Sequence, residues 1–141
     1  MNHQWMAAGG GGAILANLWT GEPMTVALLK PGFVPNYDTQ KVWADIAASE
    51  VAAGSGYAAG GVLLAGKSAP YDATNNLYNL IAGNVTWGPA ATFNAAFAVI
   101  YDNSGTKPLW SMVDFGGTKS VANGQFAINW AAAGLLSVAA I

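Results

Sequence analysis

The clearest pattern in the chain is the stretch Gln125-Phe126-Ala127-Ile128-Asn129-Trp130, where polar and apolar residues alternate with the period of a strand that buries one face. Short apolar runs, that one included, cover residues 25–29 (TVALL), 61–66, 77–82, 84–88, 92–101, 108–115, 124–130 and 134–140. Clusters of turn-forming residues separate them: Asp72-Ala73-Thr74-Asn75-Asn76, Gly83-Asn84, Gly88-Pro89, Asp102-Asn103-Ser104-Gly105, Gly116-Gly117 and Asn123-Gly124. Turn signals about 8–12 residues apart indicate antiparallel strands joined by short connections. No helix-length segment separates the later strands, so parallel βαβ units are excluded from that half. The expected fold is all-β: an antiparallel β-sandwich, jelly-roll or immunoglobulin-like, with one short helix and an extended N-terminal arm.

The helix is expected where the period changes. Val42, Trp43, Ile46 and Ala47 share one helical face, Asp38 or Thr39 can cap the start, and Gly54 and Gly56 lie beyond the end. Just upstream, Pro31-Gly32 stops the TVALL run with a turn. Residues 1–24 read as an arm and 25–141 as the sandwich domain. The arm lacks Lys and Arg, and Gly9 to Gly12 interrupt its apolar run, so it does not fit a secretory signal. Successive glycines lose much freedom on ordering, so the arm needs something to pack on. Trp5, Ile14, Leu15, Leu18 and Trp19 are its candidate intersubunit contacts; packing of the arm on its own domain is the alternative.

Composition sharpens this picture. Charged residues make up 9% of the 141 positions, against about 25% in ordinary soluble domains. Hydrophobic residues reach 53%, yet no unbroken apolar stretch has the roughly 18–20 residues of a membrane span. Two readings fit: an Ala-rich domain with a Thr, Ser and Asn surface, or a surface largely turned toward other subunits, where charge is depleted. The five basic residues are all Lys, at 30, 41, 67, 107 and 119, and the net charge is −2. Without a basic stripe, nucleic acid is not an expected partner, and without Arg there is no bidentate phosphate fork. The absence of cysteine excludes disulfides and thiolate metal sites.

One stretch competes with a purely structural reading. GVLLAGKS, Gly61 to Ser68, fits the spacing of a phosphate-binding loop, and AVIYD, Ala98 to Asp102, mimics a strand ending in a magnesium ligand. Such a loop must lead into a helix whose N-terminus faces the anion. Here Pro70 and the turn cluster Tyr71-Asp72-Ala73-Thr74-Asn75-Asn76 come next instead. Gly54-Ser55-Gly56-Tyr57-Ala58-Ala59 also matches a permissive dinucleotide fingerprint, but it comes after a helix and opens a strand, the reverse of what that fold requires. Both matches are expected to be turn glycines around a strand, and no cofactor is expected.

Other chemistry is sparse. His3 is the single histidine, so neither a catalytic triad nor a multi-histidine metal site can be assembled. Asp72, Asp102 and Asp114 sit at expected strand ends, where they can form an acid pair or cap their own turns. The tryptophans at 5, 19, 43, 87, 110 and 130 can stack sugars if exposed, or pack cores and interfaces. Trp87, Trp110 and Trp130 fall within expected strands, which favours packing.

Ordered pieces of the chain are TVALL, FVPNYDTQKVWADI, SEVAAGSGYAAGGVLLAGKSAPYDATNN, NVTWGPAATFNAAFAVIYDNSGTKPLW and VDFGGTKSVANGQFAINWAAAGLLSV. In that order, from Met24 onward, the chain resembles a family of small structural proteins encoded in the morphogenesis regions of tailed bacteriophages. The central block of the resemblance is Gly56-Tyr57, Gly60-Gly61, Gly66-Lys67 and Tyr71-Asp72. The resemblance implies a non-enzymatic virion component, foremost a decoration or cement protein on the capsid surface. Its implied partners are the major capsid protein and copies of itself, as a homo-oligomer such as a trimer. A tail, neck or fibre-attachment protein is the structural alternative, and a sugar-binding host-adhesion module the alternative of another class. Residues 1–23 fall outside the resemblance.

Overall fold

The computed structural model describes residues 11–131 and 134–139. Its elements in chain order are helix α1 (Gly11–Gly21) and strands β1 (Met24–Leu29), β2 (Val62–Leu63), β3 (Tyr71–Asp72), β4 (Leu77–Leu80), β5 (Val85–Asp102), β6 (Leu109–Ile128) and β7 (Leu136–Ala139). Between β1 and β2 lie two 3-10 turns, Trp43–Asp45 and Ala47–Ser49. All strand pairs are antiparallel, in a four-stranded sheet of order β2-β1-β5-β6 and a three-stranded sheet of order β3-β4-β7. The architecture is thus β-rich and antiparallel with one α-helix among the described residues, and neither sheet closes on itself.

The chain divides into two units. One holds residues 23–63 and 85–128; the other holds, among described residues, 11–22, 64–84, 129–131 and 134–139. Residues 64–84 and the described residues after 128 group with the helix rather than with the long strands.

The first unit is built on the β5–β6 hairpin and on β1. All of β1 is buried, as expected of a continuous apolar run covered on both faces. It pairs with the last third of β5, from Met24 opposite Asp102 to Leu29 opposite Phe97. Over those residues β5 is buried almost throughout, whereas its first half alternates, with Val85 and Trp87 buried and Thr86 exposed. A core of Ala27, Leu29, Ile46, Val99 and Tyr101 forms on one face, flanked by Phe33, Trp43, Phe97, Leu109 and Met112. Trp43 stacks on Tyr101 with ring centres 4.5 Å apart.

Three expectations are corrected here. The helix expected from Asp38 or Thr39 is replaced by the two 3-10 turns. Val42 is extended and bridges Pro108, and Glu50 bridges Leu29. Only a short span between these anchors is free to coil, too little to propagate an α-helix. Asn36 Oδ1 accepts from Asp38 N and Thr39 N in a local turn that leads into no helix, and Val42 stands at the start of the first 3-10 turn. Second, Gly88-Pro89 does not separate two strands, nor do Gly116-Gly117 and Asn123-Gly124. The long strands run through them, and the pairing shifts between Trp87 and Ala91, Ala91 and Phe93, and Ala95 and Phe97. Turn residues become bulges when a partner strand continues alongside. Third, the arm is not extended where it is described: residues 11–21 form α1.

In the second unit α1 lies with the small sheet. Leu15, Ala16 and Trp19 are buried, and Trp19 Nε1 donates to Ile81 O at 3.0 Å. Gly134 passes so close to β4 that a Cβ there would stand 2.5 Å from Leu80 O. Leu135 N donates to the same carbonyl. No helix among the described residues is long and apolar enough to cross a membrane.

Candidate functional site

The apparent dinucleotide fingerprint, Gly54 to Ala59, and the first residues of GVLLAGKS, Gly61 to Leu63, fall in segment 49–63, along the outer edge of β1. Beyond the two-residue β2, the β1 backbone would present unpaired groups to solvent. The segment meets them one by one. Lys30 N donates to Ser49 O, Val51 N donates to Leu28 O, and Leu28 N donates to the Tyr57 hydroxyl at 3.0 Å. Tyr57 in turn donates to Glu50 Oε1 at 2.8 Å, and Gly60 N donates to the same oxygen at 2.5 Å. The Tyr101 hydroxyl closes the network on Gly60 O at 2.7 Å. Burial pushes the Tyr57 phenol well above its ordinary value. The Leu28 N–H works against that shift, and Glu50 adds to it. Burial, then Glu50, pushes Tyr101 up to about 12. Both phenols are therefore neutral donors at physiological pH.

The glycines of this segment have steric roles. Gly54 and Tyr57 exchange backbone hydrogen bonds around Ser55 and Gly56, which have φ of 50° and 88°. Positive φ at both central positions is the geometry of a tight two-residue hairpin turn. The turn docks on β5 through Thr92 N, which donates to Ser55 O at 2.8 Å. A Cβ on Gly56 would lie 2.7 Å from Ala91 Cα, and one on Gly61 would lie 2.0 Å from Val26 O. The apparent dinucleotide fingerprint is thus a turn pressed on a strand. GVLLAGKS divides between the units after Leu63. Past Ser68 the chain enters a strand pair, Tyr71 opposite Tyr78, and not a helix. The Lys67 ammonium hydrogen-bonds Glu22 O.

The expected strand-end carboxylates cap turns. Asp72 accepts from Thr74 N, Asn75 N and Asn75 Nδ2, and the Asn75 side-chain bond, together with its backbone bond, holds the carboxyl below its usual range. Asp102 accepts from Ser104 Oγ and Asp114 from Gly116 N. Among the described residues no group of three or more His, Cys, Asp or Glu side chains could hold a metal. Of the tryptophans, Trp19 and Trp87 are buried and Trp43, Trp110 and Trp130 half-buried. Trp130 Nε1 donates to Gly83 O. Among the described residues the nearly coplanar ring pairs are Trp43 with Tyr101 and Tyr57 with Trp87, each with at least one buried partner, so neither is an open sugar platform.

The arm residues scatter. Trp5 and His3 lie outside the described residues, and of Ile14 only the helical backbone is described. Leu15 and Trp19 are buried within their own unit, and Leu18 is half-buried. Their spacing, 14, 15, 18 and 19, is the helical pattern also present at 42, 43, 46 and 47, here directly preceded by glycines that disfavour a helix.

Beside the 49–63 segment the first unit carries an open cleft of about 540 Å³, lined by Lys30, Pro31, Val51, Ser55, Phe93 and Asn94 among others. Among the described residues, Lys30 is the one ionisable side chain in its lining. Such a mix of apolar walls and a polar rim suits binding. The loop that begins at Pro31 exposes Val34 (75%) and Tyr37 (57%). No protein-family profile, curated protein or solved structure matches the chain.

Proposed function

We propose that this chain is a structural component of a tailed-bacteriophage particle, with decoration of the capsid surface as its role. The observation that carries the reading is the use made of the block on which the resemblance rests. Gly56, Tyr57, Gly60 and Gly61, the first half of that block, build an edge closure in which the Glu50 carboxylate accepts from the Tyr57 hydroxyl and Gly60 N. A motif spent on scaffold fits a protein that acts through contacts and shape. The low charged fraction, 9%, supports a surface that meets other subunits. A β-sandwich remains the proposed architecture, supported by the turn spacing of the sequence. The proposed partners are the major capsid protein and copies of this chain. A standard interface buries about 1,600 Å² in total, and several such contacts per copy would tie shell subunits together.

The test is the copy number of the protein in purified particles, by quantitative gel. A stoichiometry near that of the major shell protein is expected. A stoichiometry near that of single-vertex neck or tail proteins overturns the decoration role, and absence from the particle overturns the reading altogether.

A further inference from the structure

The loop after β1 is built to hold apolar side chains in water. Phe33 anchors its start edge-on against Phe97, with ring centres 5.4 Å apart. Asn36 N donates to Gln40 Oε1 at 2.7 Å, and Gln40 Nε2 donates back to Val34 O at 3.2 Å. Asn36 Oδ1 holds Asp38 N and Thr39 N, and the Lys41 ammonium donates to Tyr37 O. The loop is therefore locally cross-tied, with Val34 and Tyr37 pointed outward. Rigid loops that present an apolar and an aromatic side chain lose little freedom on binding. Among the described residues, the Asp38 carboxylate at the loop tip has no side-chain partner, and neither has the Lys30 ammonium in the cleft wall at the loop's base. Both residues are exposed.

Knob and cleft thus lie on one unit and share Pro31; Asp38 on the knob and Lys30 in the cleft wall bear opposite charges and have no side-chain partner among the described residues, while the Lys41 ammonium of the loop is tied to Tyr37 O. Surfaces so related are satisfied together by a two-fold axis, because residue i then meets j while j meets i. We propose that residues 34–38 of one copy seat in the cleft bounded by Lys30, Val51 and Phe93 of a second copy, reciprocally. Tyr37 and Val34 fill the apolar part, and Asp38 meets Lys30 of the neighbour on each side of the axis. This contact deepens the assembly reading and rests only on its claim that copies of the chain meet.

The test is the self-association of the purified full chain by sedimentation over a concentration series. The wild type is expected to dimerise, more weakly as salt rises. Lys30→Glu or Asp38→Lys alone is expected to raise the dissociation constant about tenfold or more, since like charges then face each other. The double reversal K30E/D38K is expected to restore it to within a few-fold. Lys119→Glu makes the same charge change on β6 and is expected to leave dimerisation unchanged. Tyr37→Ser is expected to abolish the dimer without lowering the melting temperature. A wild-type dimer indifferent to all the cleft and loop changes overturns this contact and leaves the assembly reading standing. A chain that stays monomeric at every concentration also overturns it, and particle copy number then judges the wider reading separately.

Discussion

The two long flanks of the four-stranded sheet solve one problem in opposite ways. On the β1 side the edge is covered: residues 49–63 supply backbone and tyrosine partners until few groups face outward. On the other side, among the described residues, 111–127 of β6 form main-chain hydrogen bonds with β5 alone. That edge is broken instead of covered. Gly116 and Gly117, at φ of 74° and 148°, and Asn123, at 49°, interrupt it, so no regular outward ladder is longer than a few residues. Exposed edges invite pairing with other chains, and both covering and bulging suppress it. The difference teaches where tolerance lies: the covered edge depends on close fit, the bulged edge on an irregular pairing register.

The largest effect is expected where fit is tightest. Gly61→Ala places a Cβ against Val26 O in the middle of the closure and in a positive-φ position. Gly32 shares the positive φ, at 92°, but a Cβ there meets nothing within 4 Å. The Gly32→Ala change is expected to cost about 1 kcal/mol, the strain of the backbone alone. Gly61→Ala is expected to cost about 3 kcal/mol or more, because backbone must move as well. Urea denaturation of the pair isolates the close approach. Equal losses would mean that the closure is looser than its geometry.

The hydroxyl of Tyr57 comes next. Tyr57→Phe leaves Leu28 N and Glu50 each short of a partner, for an expected loss of about 1–3 kcal/mol by denaturant titration. The same network makes stability fall with alkali. Tyr57 and Tyr101 hold their protons in the folded chain above the ordinary 10.0, Tyr101 to about 12. The unfolded chain releases those protons first, so the contribution of the two phenols is level below pH 10 and declines as pH rises toward 12. Tyr101→Phe is expected to flatten that decline, measured as melting temperature against pH. A slope unchanged by either substitution would remove the phenols as its cause.

How much of the fold and site is legible in the sequence depends on how local each signal is. TVALL, the turn at Pro31-Gly32 and the failure of GVLLAGKS to open a helix are written in neighbouring residues, and each is readable there. The β-rich antiparallel class is readable for the same reason. The length of β5 and β6 is not, because Gly88-Pro89 and Gly116-Gly117 mean turn or bulge according to a partner strand that lies far away in sequence. The helix at 11–21 shows in the spacing of Leu15, Leu18 and Trp19, but only if the glycines before it are discounted. The closure around Glu50 and Tyr57 joins Leu28, Gly60 and Tyr101, which no local pattern connects. Val34 and Tyr37 look like ordinary apolar residues in sequence, and only exposure sets them apart.

The smallest change in stability and the sharpest probe of the bulged edge is Lys119→Val. Lys119 is exposed on β6, opposite Ala95 and shortly after the Gly116-Gly117 interruption. Removing its charge takes away the electrostatic guard of that edge without touching a buried contact. A surface change of this kind is expected to shift stability by no more than about 0.5 kcal/mol. If bulges alone protect the edge, the variant stays as soluble as the wild type on prolonged incubation at high concentration. If charge and bulge act together, light scattering rises while the melting temperature holds, because the runs on either side of residue 119 then offer Val121 and Val113 to a second edge. We expect the second outcome. The bulge breaks the register of a neighbouring strand, but over the few residues between bulges a strand can still start, and there a charged side chain is the remaining deterrent.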